Sequence, residues 1–421
     1  MALLRFLHCA DLHIDSPFKG IGKIHPEFRD ILYNSTYQSF AKIVDLALSE
    51  EVDFVAICGD VYDSSDKSLK AQIHFRDELS RLAAAGITAY IVHGNHDPLN
   101  GWSASLIWPD NVKVFGGEDF ECVDFKRQDN TLARIYGISY KERDVTQNLA
   151  LRFQHEETDI PAIALLHANI GSNPAHKSYA PASINDLLNR GINYWALGHV
   201  HQRAILRDAS PSIVYPGNSQ ARHPRETGAK GCYIVDMESD GTCSMRFEET
   251  DLVRYESKAI DIENITDVDT LVGQILGLCD DNSQNVNGRT IVLRLVLVGR
   301  SELHGQLSRS ENTQELLETA QTRLIESGSA VLIDRIQLQS SSPFDIDELR
   351  AGNDFVSDLI SLYDALEDST SEQWNAIRSA LQPLYETWRG HHLLSELSDD
   401  QIKELATQAM YQTLDRFVET D

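Results

Sequence analysis

Five short strings in the first half of the chain carry side chains of the types that bind metal ions. In sequence order they are Asp11-Leu12-His13, Gly59-Asp60, Gly94-Asn95-His96-Asp97, Leu165-Leu166-His167 and Gly198-His199-Val200-His201. Carboxylate oxygens, amide oxygens and imidazole nitrogens together form a donor set that suits Mn²⁺, Fe or Zn²⁺. One such string occurs often by chance, whereas five in a single chain predict a metal-dependent site.

The predicted ligands divide between two metal ions. One ion is predicted to be bound by Asp11, His13 and His201, and the other by Asn95, His167 and His199. Asp60 is predicted to bridge the two ions. Asp11 and His13 stand two positions apart, so that on an extended segment both side chains would point to the same side. Two ions about 3.5–4 Å apart can hold a bridging hydroxide and bind phosphate oxygens for in-line attack. We therefore predict phosphoester hydrolysis with two divalent ions, of which Mn²⁺ is favoured over Fe and Zn²⁺.

The leaving oxygen of such a reaction needs a proton. His96 follows the predicted ligand Asn95 and is the predicted general acid. Asp97 is predicted to accept a hydrogen bond from the other ring nitrogen of His96 and so to fix its tautomer. Three other histidines, His8, His74 and His93, are interpreted as packing residues, because a lone histidine at a strand end is more often structural than a ligand.

Each string follows a short apolar run that is predicted to be a buried β-strand. The predicted strands span residues 3–10, 54–58, 89–92, 163–166 and 194–197. Helical patterns at residues 36–48 and 69–85 separate the first three strands, as in βαβ units. In open α/β sheets ligands bind beyond the carboxyl ends of the strands, which is where the strings lie. The predicted fold class is α/β, with a core of two packed mixed sheets flanked by helices.

The pattern changes beyond residue 250. Strands and helices alternate between residues 256 and 340 and predict a small α/β domain, and residues 344–421 have a helical and acidic pattern. The predicted domains are therefore residues 1–250, 256–340 and 344–421. Ser398 and Gln401 form a predicted capping box at the start of the last helix. The apolar stripe of that helix either packs on the body of the chain or docks a partner; it comprises Ile402, Leu405, Ala409, Phe417 and Val418.

The composition sets limits on the partners. The chain has 421 residues, 42% of them hydrophobic, which suffices for two or three packed domains. Its formal net charge is −27, whereas a free-standing nucleic-acid-binding protein usually has a basic surface. Either the substrate is small, or nucleic acid is bound locally and with a partner. The absence of a signal peptide pattern, of a membrane-spanning run and of paired cysteine motifs predicts a cytoplasmic protein that binds no membrane.

A local positive cluster stands out in this acidic chain. It consists of Arg222, Arg225 and Lys230, which follow the Gly198–His201 string closely in sequence. Arginine and lysine side chains bind phosphate oxygens, so we predict that these three residues contact the substrate. In the alternative interpretation they pair with neighbouring acidic side chains.

The five strings resemble the DxH, GD, GNH(E/D), H and GHxH pattern of the calcineurin-like metallophosphoesterases. Residues 6–18, 215–226 and 230–234 resemble the SbcD-type DNA repair exonucleases, and among them a bacterial YhaO-like branch. The resemblance implies a double-strand DNA nuclease core, a capping domain beside the site and a C-terminal region that docks an SbcC-like coiled-coil ATPase, and it leaves a homodimer open. Archaeal and eukaryotic relatives carry a histidine three residues after the bridging aspartate, where this chain has Asp63, so the role of that histidine does not carry over.

Three functions are therefore considered. The first is a Mn²⁺-dependent DNA exonuclease or endonuclease that works in DNA repair with an ATPase partner. The second is a phosphodiesterase or phosphatase for small molecules, which the net charge of −27 favours. The third is a scaffolding subunit of an ATPase complex, which the complete set of predicted ligands argues against.

Overall fold

A computed structural model describes residues 3–16, 18, 26–63, 68–155, 159–171, 179–284, 288–368, 370–386 and 397–417. The strands are β1 Leu4–Cys9, β2 Phe54–Cys58, β3 Thr88–Val92, β4 Val112–Val114, β5 Glu121–Arg127, β6 Asn130–Ile138, β7 Ala162–His167, β8 Tyr194–Gly198, β9 Ala204–Arg207, β10 Ser212–Tyr215, β11 Gly231–Met237, β12 Cys243–Glu249, β13 Val253–Asp261, β14 Thr290–Val298 and β15 Val331–Leu338. The α-helices are α1 Pro26–Ser49, α2 Leu69–Ala84, α3 Ile184–Leu188, α4 Val268–Gln284, α5 His304–Leu307, α6 Ser310–Glu326, α7 Ile346–Arg350, α8 Phe355–Asp364, α9 Glu372–Glu386 and α10 Asp399–Phe417.

The first sheet has the strand order β12-β11-β1-β2-β3-β4, and β1 to β4 run parallel. Its outer face packs against α1 and α2, with Leu7 and Ile57 of the sheet in one buried cluster with Phe40 and Leu79 of the helices. Helix α2 is confirmed close to its predicted bounds. Helix α1 begins at Pro26 instead of residue 36, and proline favours a first helical position because its missing N–H has no partner to bond there.

The second sheet has the strand order β5-β6-β7-β8-β10-β9, in which β6, β7, β8 and β10 run parallel. The two sheets pack face to face, and the ring of Phe6 from β1 lies 5.2 Å from the ring of Tyr194 on β8, edge to face. His8 joins the same layer: its Nδ1 lies 3.0 Å from the Tyr194 hydroxyl and its Nε2 3.2 Å from Leu197 O. The predicted core of two packed mixed sheets is confirmed, and His8 is a packing residue.

The chain forms two compact units. The first contains both large sheets and includes the chain up to Lys258 together with Gly277–Arg294 and Gln321–Arg335. The second consists of Ala259–Leu276, Leu295–Ala320 and the chain from Ile336 onward. Strands β13, β14 and β15 form a third, three-stranded sheet. This division follows different bounds from the predicted domains 1–250, 256–340 and 344–421, which stay a prediction.

Helix α10 packs within the second unit. Its Met410 and Leu414 are buried against Ile360 of α8, and Arg300 bonds Asp415 at 2.8 Å. Ser398 and Gln401 form the expected reciprocal bonds at the helix start. The predicted apolar stripe is divided: Ile402 is buried, Leu405 and Phe417 are exposed, and Val418 lies outside the described residues. Docking of a partner on the exposed part stays a prediction.

Across the described residues, each helix is too short or too polar to span a membrane.

Candidate metal centre

The predicted ligands lie at the carboxyl ends of parallel strands in both large sheets. Asp11, Asp60 and Asn95 follow β1, β2 and β3 of the first sheet, whereas His167 ends β7 and His199 follows β8 of the second. The carboxyl ends of parallel strands meet at one edge of a sheet, so the packing of the two sheets brings both sets of side chains together.

Four of the predicted ligands have a left-handed backbone. The angle φ is 50° at Asp11, 44° at His13, 50° at Asp60 and 98° at His199. A positive φ is unfavourable for residues with a Cβ, and such strain is held mainly at functional sites. The expected extended segment at Asp11 and His13 is therefore wrong. The chain turns there, and the His13 amide donates to Asp60 O at 3.0 Å.

The first predicted group comes together as expected. Ligand atoms of Asp11, His13 and His201 all lie within 4.8 Å of one another, and Nε2 of His13 is 3.1 Å from Nε2 of His201. Asp11 is fully buried and accepts the His199 amide at 3.0 Å. Burial raises the pKa of Asp11 to about 6, although the imidazoles of His167 and His201 favour its charged form.

The second predicted group is centred on Asn95. Its Oδ1 lies 3.1 Å from Nε2 of His167 and 3.1 Å from Nδ1 of His199. The other ring nitrogen of His167, Nδ1, lies 2.9 Å from Cys58 O. If Nδ1 carries the proton, it donates a hydrogen bond to that carbonyl, and the lone pair of Nε2 faces the site.

Asp60 lies between the two groups. Its Oδ2 is 3.4 Å from Nε2 of His167 and 3.9 Å from Nε2 of His13. Burial alone would lower the pKa of His167, but the carboxylates of Asp60 and Asp11 raise it to about 9. Burial would in turn raise the pKa of Asp60, whereas the imidazoles of His167 and His13 hold it well below the usual range. The placement of Asp60 suits the bridging role predicted from the sequence.

The donor set fits divalent cations. Deprotonated imidazole nitrogens, carboxylate oxygens and an amide oxygen are all electron-pair donors to a metal ion, and here they lie 3.1–3.9 Å from one another. Neighbouring ligands on one ion with bonds of about 2.1 Å are themselves about 3 Å apart. Nδ1 of His13 is buried and faces away from the donor set, with Asp63 Oδ1 at 3.4 Å. Which residue binds which ion stays a prediction.

Two motif glycines allow this close approach. A Cβ on Gly198 would overlap Cys58 O, and a Cβ on Gly94 would overlap the Asp60 carboxylate and the His167 ring. The strand ends can therefore come this near only if neither position has a side chain.

The structure corrects the expected pairing of His96 with Asp97. Nδ1 of His96 lies 2.7 Å from Asp63 O. Asp97 is buried and instead accepts the amides of Val61 at 2.9 Å and Gly94 at 2.8 Å. It also lies 2.9 Å from Nδ1 of His93, the histidine interpreted as a packing residue. Asp97 therefore fixes the loop that carries His96, and a backbone carbonyl orients the His96 ring.

The predicted positive cluster is divided among three different environments. Arg222 pairs with Asp63 and donates to Ser16 Oγ at 2.8 Å, as in the alternative interpretation. Lys230 is only 4% exposed, and its Nζ lies 3.2 Å from His201 O. Burial lowers the pKa of Lys230. Lys230 thus supports the backbone at His201, whereas Arg225 is exposed. Phosphate contacts by Arg222, Arg225 and Lys230 stay a prediction.

Two acidic residues beside the site were not assigned a role from the sequence. Glu226 Oε1 lies 2.6 Å from Nδ1 of His201, and Asp63 Oδ1 lies 3.4 Å from Nδ1 of His13. Neither belongs to one of the five strings. The signal that could have found Glu226 is its place beside Arg225 in the segment that resembles the exonucleases.

Residues 4–203 match the family model Calcineurin-like phosphoesterase, and residues 255–341 match the model for the middle domain of metallophosphoesterase YhaO. The uncharacterized metallophosphoesterase YhaO of Bacillus subtilis (strain 168) is 37% identical over 299 residues, which are 70% of this chain and 72% of that protein. The chain belongs to the calcineurin-like phosphoesterase family. This phosphoesterase is thus a hydrolase, and the residues described above are its candidate ligands for a dinuclear divalent metal centre.

More distant relatives of the phosphoesterase have a named function. The DNA double-strand break repair protein Mre11 of Sulfurisphaera tokodaii is 28% identical over 256 residues, 57% of this chain and 61% of that protein. The alignment thus covers less than two thirds of that relative. Among solved structures, a dimetal phosphatase from Danio rerio has 13% sequence identity and a TM-score of 0.38, over 59% of this chain and 97% of that one.

Proposed function

We propose that this phosphoesterase is a Mn²⁺-dependent DNA nuclease that acts as an exonuclease or endonuclease in DNA repair, with an SbcC-like ATPase as partner. The observation that carries the proposal is the convergence of seven donor side chains and His96 at one edge of the two packed sheets. The similarity to proteins named for double-strand break repair supports DNA as the substrate.

Two ions held by the seven donor side chains would supply an activated water and positive charge for the phosphate oxygens. His96 donates the proton to the leaving oxygen. Its Nδ1–H is held by Asp63 O at 2.7 Å, so Nε2 is the atom from which the proton leaves. The side chain is 31% exposed and can meet a substrate. The His96 amide donates to Asp60 Oδ1 at 2.8 Å, which fixes the acid relative to the bridging carboxylate.

The net charge of −27 requires that DNA be bound locally. The ions themselves provide the positive charge at the scissile phosphate, and the exposed Arg225 can contact a neighbouring phosphate. A partner that brings its own basic surface would supply the rest of the electrostatic attraction.

Exposed apolar side chains in the second unit support a protein partner. Phe355 and Phe417 are 61% and 56% exposed, and their rings lie 5.2 Å apart. Leu362 of the same helix α8 is also exposed. Such a patch suits the apolar face of a partner helix, which an SbcC-like coiled coil would offer.

A second candidate is a phosphodiesterase for small molecules. The observation that favours it is the engagement of Arg222 and Lys230 inside the protein, which leaves Arg225 as the exposed member of the predicted phosphate-binding cluster. A small substrate needs fewer phosphate contacts than a DNA strand.

A nuclease assay on end-labelled DNA distinguishes the two candidates. Linear duplex and single-stranded DNA, labelled separately at each end, are incubated with Mn²⁺, Mg²⁺ or a chelator, and bis-p-nitrophenyl phosphate serves as the small substrate. Asp60→Asn and His96→Ala test the site, and Asp208→Asn, at an exposed position, is the matched control. Mn²⁺-dependent shortening of DNA that only the first two variants lose supports the nuclease. Turnover of the small diester without DNA cleavage, with and without an SbcC-like partner, would contradict it.

A further inference from the structure

A carboxylate contacts the ring of His201 at the nitrogen that faces away from the site. Nδ1 of His201 lies 2.6 Å from Oε1 of Glu226, while Nε2 of the same ring lies 3.1 Å from Nε2 of His13 inside the site. Oε1 of Glu226 therefore bonds the ring nitrogen that does not point at the proposed ion. Glu226 is not one of the seven predicted ligands.

The carboxylate of Glu226 is itself fixed by two further donors. Its Oε2 accepts the Arg222 amide at 2.7 Å and Nδ2 of Asn218 at 3.1 Å. Both carboxylate oxygens are therefore engaged, Oε1 by the His201 ring and Oε2 by Arg222 and Asn218. These three contacts leave the side chain little freedom to rotate.

A carboxylate oxygen placed 2.6 Å from Nδ1 has one consequence for the ring. The proton of the neutral imidazole stays on Nδ1, and the lone pair of Nε2 is directed into the site. Without Glu226, both tautomers and other ring rotations of His201 become accessible. The ring must leave these other tautomers and rotations when it binds a metal ion, which weakens binding.

The same network reaches two other imidazoles of the site. Arg222, whose amide bonds Glu226, pairs through its guanidinium with Asp63. Asp63 lies 3.4 Å from Nδ1 of His13 and holds Nδ1 of His96 through its backbone carbonyl. Glu226 therefore stands at one end of a set of contacts that supports the rings from outside the donor set.

We propose that Glu226 is a positioning residue of the metal centre, which selects the His201 tautomer and so strengthens binding of the ion held by Asp11, His13 and His201. The inference rests on the proposed metal site and adds to it a residue that binds no metal. Removing such an outer partner typically weakens metal binding about 10–100-fold.

The test measures Mn²⁺ affinity on the full chain. Free Mn²⁺ is counted by electron paramagnetic resonance during titration of the metal-free protein. The wild-type protein is expected to bind two ions, and Glu226→Ala is expected to weaken one of them about 10–100-fold. Glu226→Gln keeps an oxygen acceptor for Nδ1–H and is expected to restore part of the loss. Glu238→Gln, at an exposed position, is the matched control and should bind like the wild type.

A double-mutant cycle separates positioning from general support of the loop. If Glu226 acts through His201, Glu226→Ala causes no further loss of affinity in a His201→Ala background. A loss that persists there, or unchanged affinity in both Glu226 variants, would overturn the inference while the metal site stands. A wild-type protein that binds no Mn²⁺ would instead overturn the proposed site itself. Thermal melting of the metal-free variants checks folding. If Glu226→Ala does not fold, the Mn²⁺ affinity of Glu226→Gln is compared with that of the wild type instead.

Discussion

Oδ2 of Asp60 lies 3.4 Å from Nε2 of His167 and 3.9 Å from Nε2 of His13, so that one carboxylate oxygen faces an imidazole from each predicted ligand group. Asp60 follows β2 of the first sheet, and His167 ends β7 of the second. This placement makes Asp60 the side chain whose removal affects both groups at once.

Asp60→Asn is expected to weaken binding of both ions by more than about 100-fold, because a bridging ligand contributes more than the outer partners, whose loss costs about 10–100-fold. The measurement is a Mn²⁺ titration of the metal-free protein. Asp208→Asn serves as the control. Binding of one ion at wild-type affinity in Asp60→Asn would show that Asp60 belongs to one group only.

His96→Ala is expected to lower kcat on DNA about 10²–10⁴-fold, which is the usual contribution of a general acid. Its effect on bis-p-nitrophenyl phosphate should be much smaller, since nitrophenolate is a good leaving group and needs no proton. Steady-state kinetics on both substrates check this. An equal loss on the two substrates would argue that His96 binds or positions the phosphate.

Asp97→Asn is expected to destabilise the protein by about 2–3 kcal/mol, because an amide replaces a buried charged acceptor of two backbone N–H groups. The free energy of unfolding from urea titration, with a chelator present, measures it. A variant with wild-type stability and a selective loss of kcat would restore Asp97 to the catalytic role expected from the sequence.

His8 predicts an acid-sensitive stability. Burial lowers its folded-state pKa from 6.5 to about 3, so the unfolded chain binds a proton between these values and the folded protein does not. Stability is therefore lost as the pH falls through this window, by up to about 1.4 kcal/mol per pH unit. His8→Gln should flatten this part of the pH profile in urea unfolding. Identical slopes for both proteins between pH 6.5 and 4 would contradict the assignment.

Gly198→Ala is expected to abolish tight metal binding, because its Cβ would overlap Cys58 O and displace the end of β8. Gly273→Ala is the matched control. Gly273 lies inside α4, and among the described residues outside its own helix backbone no atom lies within 4 Å of the place of a Cβ, so alanine there should stabilise by about 0.5–1 kcal/mol. Thermal melting and Mn²⁺ titration of both variants check the contrast. Wild-type metal affinity in Gly198→Ala would show that the strand end adjusts.

The sequence was sufficient for features that depend on residue type and period. Apolar runs of strand length such as Phe54–Cys58 placed Asp60 at a strand end, and the helical period located α2. The same reasoning grouped Asp11 with His13 and His201, whose ligand atoms do meet. These features follow from burial and backbone geometry that any chain must obey.

Other features depend on the path of the backbone and could not be predicted from spacing. The left-handed conformation of Asp11 and His13 is imposed by contacts with the loop after β2. His96 is oriented by the carbonyl of Asp63, a group that every residue has and that leaves no trace in the sequence. For Lys230 the residue type itself was misleading. Its charge suggested a role at the surface, whereas its Nζ bonds a carbonyl inside the protein.

Each predicted ligand group draws on both large sheets: Asp11 and His13 meet His201, and Asn95 meets His167 and His199. An ion in either group would therefore cross-link the two halves of the core, and the sheets could separate only after releasing it. The lifetime of the folded protein then rises with the concentration of available metal, in inverse proportion to the metal-free fraction of the native state. A cell short of the metal would lose the enzyme itself as well as its activity, through faster unfolding and proteolysis.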